Sequence, residues 1–395
     1  MEIGLVGKPN VGKSTFFSAL TMASAEIASY PFTTIEPNRG MAYVRAKCPH
    51  TEFGVECNPV NSKCVGGTRF IPVEVIDVAG LVPKAHEGRG LGNKFLDDLR
   101  QASALIHIVD ASGSTDAEGR LCNIGERDPC EDVLFLEEEI DYWIAGILAR
   151  DWQRIARRAE AEGIKLDILL HDKLTGLGVR DADVHYALKD MKTDKKPREW
   201  GEEELLEFAG RIRRRSKPIL IAANKADIAP EHLLNRLREC TQNATITSAE
   251  YELALRKASA AGLIDYRPGD EDFRVVDEGA LTEAQKRALQ KIRDFMKRFG
   301  GTGVQECIER AVYDMLGMIV VYPVEDENHL TDKDGNVLPD AYLMPKGSTA
   351  LDLAYKVHTD LGENFIRAIN ARTKRVVGHD YELKNGDIIK IVAKA

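Results

Sequence analysis

Residues Gly7-Lys8-Pro9-Asn10-Val11-Gly12-Lys13-Ser14 fill the spacing G-x-x-x-x-G-K-S without a gap. They lie between an apolar run, Glu2-Ile3-Gly4-Leu5-Val6, and a stretch from Thr15 to Thr21 that reads as a helix start. A loop of this kind cradles phosphate. Its glycines let backbone N–H groups converge on oxygen, and the helix N-terminus adds positive potential. Lys13 neutralises the β- and γ-phosphates, and the Ser14 hydroxyl can ligate Mg²⁺. The expected nucleotide contacts are therefore Gly7 through Ser14, with Thr15. A glycine-rich turn can also merely join a strand to a helix, but the complete pattern and both flanks favour a nucleoside triphosphate.

Three further elements follow in order, each near a strand end. Asp77-Val78-Ala79-Gly80 comes after the run Phe70–Ile76. Asp77 can hold Mg²⁺ through a water, and the Gly80 N–H can approach the γ-phosphate. Upstream, Tyr30-Pro31-Phe32-Thr33-Thr34 offers a hydroxyl, Thr34 in preference to Thr33, to complete the Mg²⁺ shell. Mg²⁺ suits Ser14, Thr34 and Asp77 because it takes oxygen ligands and keeps several waters. Asn224-Lys225-Ala226-Asp227 then sets the base. Guanine presents two adjacent donors that the paired oxygens of Asp227 accept, whereas adenine would set a lone pair against the carboxylate. Ser248-Ala249 can close over the base with a backbone N–H to the guanine carbonyl. The ligand read from these residues is GTP or GDP. Lys13, Thr34 and Gly80 are the expected hydrolytic residues. His86, in the segment Lys84–Gly90, either reaches the γ-phosphate region or is an ordinary exposed histidine.

These residues need an α/β frame. Up to about residue 120, short apolar strands alternate with glycine-rich loops and helices, the rhythm of a mostly parallel sheet. Strands are expected at 2–6, 70–76, 104–109, 218–223 and 244–247. Val133, Leu136, Ile140, Ile144 and Ile147 recur at helical spacing, so 131–216 reads as a helical insertion, an antiparallel pair in its simplest form. A basic amphipathic helix is expected over 281–299, with Leu281, Ala288, Ile292, Phe295 and Phe299 as its apolar stripe. Past Gly317 the pattern becomes a small α+β module. The domain boundaries read as 1–130 and 217–317 for the two parts of the nucleotide domain, 131–216 for the insertion and 318–395 for the last module. A net charge of −9 leaves nucleic-acid contact to local basic patches, and no apolar run is long enough to span a bilayer. The strand at Glu2 leaves no room for a signal peptide, and seven scattered cysteines suggest reduced thiols, so a cytoplasmic protein is expected.

With these motifs in place, the chain resembles the Obg-related, YchF-like (archaeal-type) translation-factor-class GTPases. The resemblance rests on the phosphate loop, Tyr30 to Asn38, Asp77 to Val82, Gly88 to Leu96, and Pro345 to Ala354. The last stretch is similar to the TGS module, a ubiquitin-like β-grasp fold. The resemblance implies a P-loop NTPase domain with a mostly parallel sheet, an inserted helical domain and a C-terminal TGS module. It also implies a GTP hydrolysis switch read by the ribosome or ribosomal RNA, with protein regulators as further partners. Arg367, Arg372, Lys374 and Arg375 form the best local basic patch of that module. A nucleotide-gated protein-binding module and an ATPase are the alternatives. Relatives commonly carry Asn-x-x-Glu at the base site and accept ATP; Asp227 departs from that. Leu81 stands where many GTPases place a water-orienting glutamine, so hydrolysis is expected to be slow. In GTPases with a hydrophobic residue there, K⁺ can assist, and Asn10 then stands as a K⁺ ligand or merely shapes the loop.

Cys48-Pro49-His50, Cys57 and Cys64 fall between Thr34 and Asp77. Three thiols and an imidazole can assemble a tetrahedral Zn²⁺ site, but the spacing matches no tight C-x-x-C knuckle. Ordinary thiols, or a disulfide in an irregular loop, are the other reading.

Overall fold

The structure, a computed structural model, describes residues 1–22, 38–78 and 98–394. Thr33, Thr34, Gly80, Leu81 and His86 lie outside the described residues. The chain forms two compact units. The first is built mainly from Met1–Met22 and Glu74–Cys307, the second from Met41–Val73 and Ile308–Ala395.

In chain order the first strands are β1 (Glu2–Val6), β2 (Arg39–Lys47), β3 (Lys63–Val65), β4 (Thr68–Asp77), β5 (Ala104–Asp110), β6 (Ile219–Asn224) and β7 (Ala244–Ile246). In the first unit they run in the order β4-β1-β5-β6-β7, all parallel. β1 lies between β4 and β5, with Leu5 opposite Asp77 and Val6 opposite His107. β5 and β6 are buried along their whole length, as uninterrupted apolar runs covered on both faces must be. The parallel arrangement brings Val6, Asp77, Asp110 and Asn224 to one edge of the sheet, the edge where open α/β folds bind ligands.

Between β5 and β6 the chain makes five α-helices, not a simple pair: Cys130–Ala149, Trp152–Glu162, Leu166–Leu174, Asp181–Lys189 and Glu202–Ser216. Val133, Leu136, Ile140 and Ile144 are buried, as their spacing predicts, in a core shared with Phe208 and Ile212. Trp152 stacks on Trp200 with ring centroids 5.1 Å apart. The buried Arg213 bonds Asp141 at 2.6 Å and so joins the first of these helices to the last. One cross-link departs from fully reduced cysteines: Cys130 and Cys240 form a disulfide, with Cα atoms 6.2 Å apart.

The basic helix runs from Glu283 to Phe299, capped by Thr282 with Gln285 reaching back, and stopped by Gly300 at φ 80°. Its buried face is Leu289, Ile292, Phe295 and Met296. Ala288, expected in the stripe, is exposed: the face is turned by one residue, because Leu289 and Met296 offer more apolar area than Ala288.

β8 (Ile264–Asp265) and β9 (Arg274–Val275) pair as a short ribbon. In the second unit, β10 (Met318–Val324), β11 (Tyr342–Pro345), β12 (Phe365–Asn370), β13 (Arg375–Val377) and β14 (Ile388–Ala393) form a mixed sheet in the order β11-β10-β14-β12-β13. The helix Ala350–Val357 buries Ala350 and Leu353 against Ile319, Val321, Ala368 and Ile389. This helix, extended by the short helix Thr359–Glu363, lies on a mixed sheet in the manner of a β-grasp.

Candidate functional site

The phosphate loop leaves β1 at Gly7, and a helix begins at Lys13 and runs to Thr21. Asn10 and Gly12 take left-handed backbone, φ 65° and 93°. Only hydrogen fits at Gly12, where a Cβ would meet Asn224 Nδ2 at 2.4 Å. That nitrogen donates to the Val11 carbonyl at 2.9 Å, while Asn224 Oδ1 accepts the Ala249 N–H at 2.9 Å. One buried amide therefore ties the phosphate loop, the end of β6 and the start of the helix Ala249–Ala260 into a single piece.

Lys13 is ion-paired to Asp77 and donates to the Val78 carbonyl at 2.8 Å. Ser14 follows it, exposed in the first helical turn. A hydroxyl, a carboxylate and an ammonium gathered at a helix N-terminus fit Mg²⁺ beside a polyphosphate, with Ser14 and Asp77 as oxygen donors.

Lys8, Pro9 and Asn10 face a different neighbour. The Lys8 side chain is buried, 2.7 Å from Asp132 and 3.2 Å from the Thr115 carbonyl. Its ammonium is spent on these partners, which leaves its main-chain N–H as the group it can offer a phosphate, the contact expected of this loop. Burial pushes the Asp132 carboxyl up, with Lys8 opposing. Asn10 Nδ2 donates to the Gly119 carbonyl at 2.9 Å. Gly119 has to be glycine, since a Cβ there would lie 2.8 Å from the Pro9 carbonyl oxygen. The segment after β5 thus braces the loop from outside.

That segment also carries a residue the sequence reading missed. Asp110 ends β5 fully buried and accepts from Lys225 Nζ at 2.8 Å, Ser114 Oγ at 2.8 Å and the Ser112 N–H at 3.0 Å. Burial pushes its carboxyl up, but Lys225 and the two hydroxyls outweigh it and hold the group below the usual range. The available signal was position: Asp110 closes a buried strand as Asp77 does. Lys225, at φ 61°, is thereby turned across the end of β5.

Asp227 is left half-buried, and its carboxylate makes no hydrogen bond or ion pair with the described residues. Burial, and then the Asp227 charge, raise the nearby Tyr251 hydroxyl. The backbone donors expected over the base are already engaged: Ser248 N–H bonds the Thr302 carbonyl at 3.0 Å and Ala249 N–H bonds Asn224. The Ser248 hydroxyl caps its helix by accepting from Tyr251 N at 3.3 Å. In the second unit, Cys48, His50, Cys57 and Cys64 are brought together.

Comparison with known proteins places this geometry. Residues 2–137 match the family model "50S ribosome-binding GTPase", residues 222–326 "Obg-like GTPase YGR210-like, G4 motif-containing domain", and residues 328–393 the TGS domain. The chain is 58% identical to an uncharacterised GTP-binding protein of Methanocaldococcus jannaschii, covering 100% of this chain and 99% of the other. The chain belongs to the YchF-like Obg-family GTPases. A GTP-binding protein of Schizosaccharomyces pombe is 36% identical over 88% of each chain. The ribosome-binding ATPase YchF of Bacillus subtilis is 28% identical over 98% of each. Among solved structures, a GTP-binding protein from Pyrococcus horikoshii OT3 aligns over 100% of both chains, with 46% identity and a TM-score of 0.79. The YchF GTPase of S. pombe, at 19% identity and a TM-score of 0.60 over 99% and 97% of the chains, shares the fold.

Proposed function

We propose that this YchF-like protein binds GTP with Mg²⁺, hydrolyses it slowly, and serves as a switch read by the ribosome or its RNA. The observation that carries the choice of nucleotide is the state of the base tetrad. Asn224 and Lys225 are consumed by the protein's own bonds, whereas the Asp227 carboxylate is left with both oxygens unclaimed by described residues. A carboxylate so placed accepts the two adjacent donors of guanine and faces a lone pair on adenine, a mismatch of about 1–3 kcal/mol for each unpaired group. Lys13 would neutralise the β- and γ-phosphates, with Ser14 and Asp77 holding Mg²⁺, whose charge would stabilise the transferring phosphate. Thr34, Gly80 and His86 complete the proposed hydrolytic set from sequence alone. Asn10 keeps a proposed role toward K⁺ through its Oδ1, since its Nδ2 is spent on Gly119. The ribosome as reader is supported by the names of the 28%-identical bacterial relatives.

Those relatives are called ATPases, which makes ATP the second reading. Competition against a fluorescent guanine nucleotide separates the two. GTP is expected to bind at least about tenfold tighter than ATP, about 1.4 kcal/mol, and Asp227→Glu to narrow the gap. Equal affinities in the unsubstituted protein would overturn the assignment of Asp227.

A further inference from the structure

We propose that Cys48, His50, Cys57 and Cys64 bind one zinc ion in a closed, structural site of the second unit. The four come from separate pieces of local structure. Cys48 follows β2, its N–H bonded to the Gly67 carbonyl at 2.9 Å. His50 opens the short helix His50–Phe53, Cys57 lies in the loop after it, and Cys64 is the middle residue of β3. Folding nevertheless brings one donor atom from each within 4.8 Å of all the others. Cys48 Sγ is 3.8 Å from Cys57 Sγ, and His50 Nδ1 is 3.2 Å from Cys57 Sγ and 3.5 Å from Cys64 Sγ.

These are the edges of a metal-sized tetrahedron. Bonds of about 2.3 Å to sulfur and 2.0–2.1 Å to nitrogen imply S···S edges of about 3.8 Å and S···N edges of about 3.6 Å. A disulfide needs sulfurs about 2.05 Å apart, far closer than Cys48 and Cys57 stand. Three thiolates and one neutral imidazole are a donor set that selects zinc, and four protein ligands leave no open position for catalysis.

Charge supplies a second, independent argument. Arg69 is fully buried directly across the β3–β4 ladder from Cys64. Its guanidinium bonds the Ser62 hydroxyl and the Leu338 carbonyl, both at 3.0 Å, lies over the Tyr322 ring, and has no carboxylate partner among the described residues. A buried cation that makes no ion pair is costly, and the half-buried Asp340, whose carboxyl the Arg69 charge lowers against its burial, offsets that only from beyond hydrogen-bonding distance. Zinc with three thiolates and a neutral histidine carries one net negative charge, which Arg69 would balance.

The site would fix the loop that carries Asn58, Val60 and Asn61. Asn58 N–H bonds the Val337 carbonyl at 3.1 Å, Val60 N–H the Pro339 carbonyl at 2.7 Å, and Asn61 Oδ1 accepts the Ala341 N–H at 2.8 Å. Zinc would thus staple the excursion between β2 and β4 against the segment before β11.

The test is metal analysis of the full-length protein, followed by Co²⁺ titration of the reduced, metal-stripped chain. About one zinc per chain is expected, with the visible absorption of tetrahedral, thiolate-bound cobalt at one equivalent, bleached by Zn²⁺. Cys64→Ser should weaken zinc binding at least about tenfold. His50→Cys should retain the metal with a four-thiolate cobalt spectrum, which covers the case in which Cys64→Ser does not fold. Iron in place of zinc, no tetrahedral cobalt spectrum in the reduced protein, or a peptide map joining Cys48 to Cys57 would overturn the proposal.

Discussion

His107 sits on β5 opposite Val6, fully enclosed, and its Nδ1 has no hydrogen-bond partner among the described residues. Burial, with the Lys8 charge adding to it, pushes its imidazole down to about 3 from an ordinary 6.5. The folded chain therefore holds His107 neutral where the unfolded chain would protonate it. The unfolded state binds the extra proton between pH 6.5 and about 3, so this residue's contribution is intact above pH 6.5 and is lost progressively as pH falls toward 3. Urea unfolding should show stability declining below pH 6.5 by up to about 1.4 kcal/mol per pH unit from this group. His107→Leu should flatten that slope; an unchanged slope would place the acid sensitivity elsewhere. At this scale the phosphate loop, Asp77 and the base tetrad were legible because each is a local string with a chemical reason. Asp110, Asp132 and Gly119 were not, because their roles exist only once the segment after β5 folds back onto Lys8, Pro9 and Asn10. The four zinc-ligand candidates were visible as residue types, but their convergence depends on β3 pairing with β4, which no spacing rule encodes.

Elements were legible where their ends are written in the sequence. Thr282 and Gln285 start a helix and Gly300 stops it, and the apolar strands of the parallel sheet fall close to where their runs predict. The helical segment was harder, since its stacking of Trp152 on Trp200 joins residues far apart in a polar stretch. The disulfide shows the same limit. Cys130 opens the helix Cys130–Ala149 and Cys240 closes the helix Glu231–Cys240, 110 residues apart. Closing a loop of that size restricts the unfolded chain by up to about 4.7 kcal/mol in the chain-entropy account, an upper figure that measured bridges often miss. Peptide mapping without reductant should join the two cysteines, and Cys240→Ser should lower the unfolding midpoint by several degrees. Equal midpoints would show that the bond does not carry stability.

For the whole molecule, the question is how a chain of net charge −9 could engage a polyanion. No described helix is long and apolar enough to cross a membrane. Of the four residues in the basic patch that the sequence offers in the TGS module, two are spent on the fold. Arg372 bonds Glu52 and the Gly386 carbonyl, and Lys374 bonds the Glu327 carbonyl and Asn328. Arg367 and Arg375 remain exposed on the adjacent strands β12 and β13, without ion pairs among the described residues. If ribosomal RNA reads the switch through this module, those two side chains are its phosphate ligands. Removing either charge should lower the logarithmic salt slope of binding by roughly one. Arg367→Glu with Arg375→Glu should therefore weaken co-sedimentation with ribosomes under a GTP analogue and flatten its salt dependence. Nucleotide affinity should stay unchanged, because both residues lie outside the phosphate loop and the base tetrad. Retained, equally salt-sensitive sedimentation would move the RNA-binding face off β12 and β13. The basic helix Glu283–Phe299 would then be a candidate: Arg293 and Arg298 are paired to Asp272 and Glu231, but Arg287, Lys291 and Lys297 are exposed and make no ion pair among the described residues. The exposed basic residues of the helical insertion would be the next place to test.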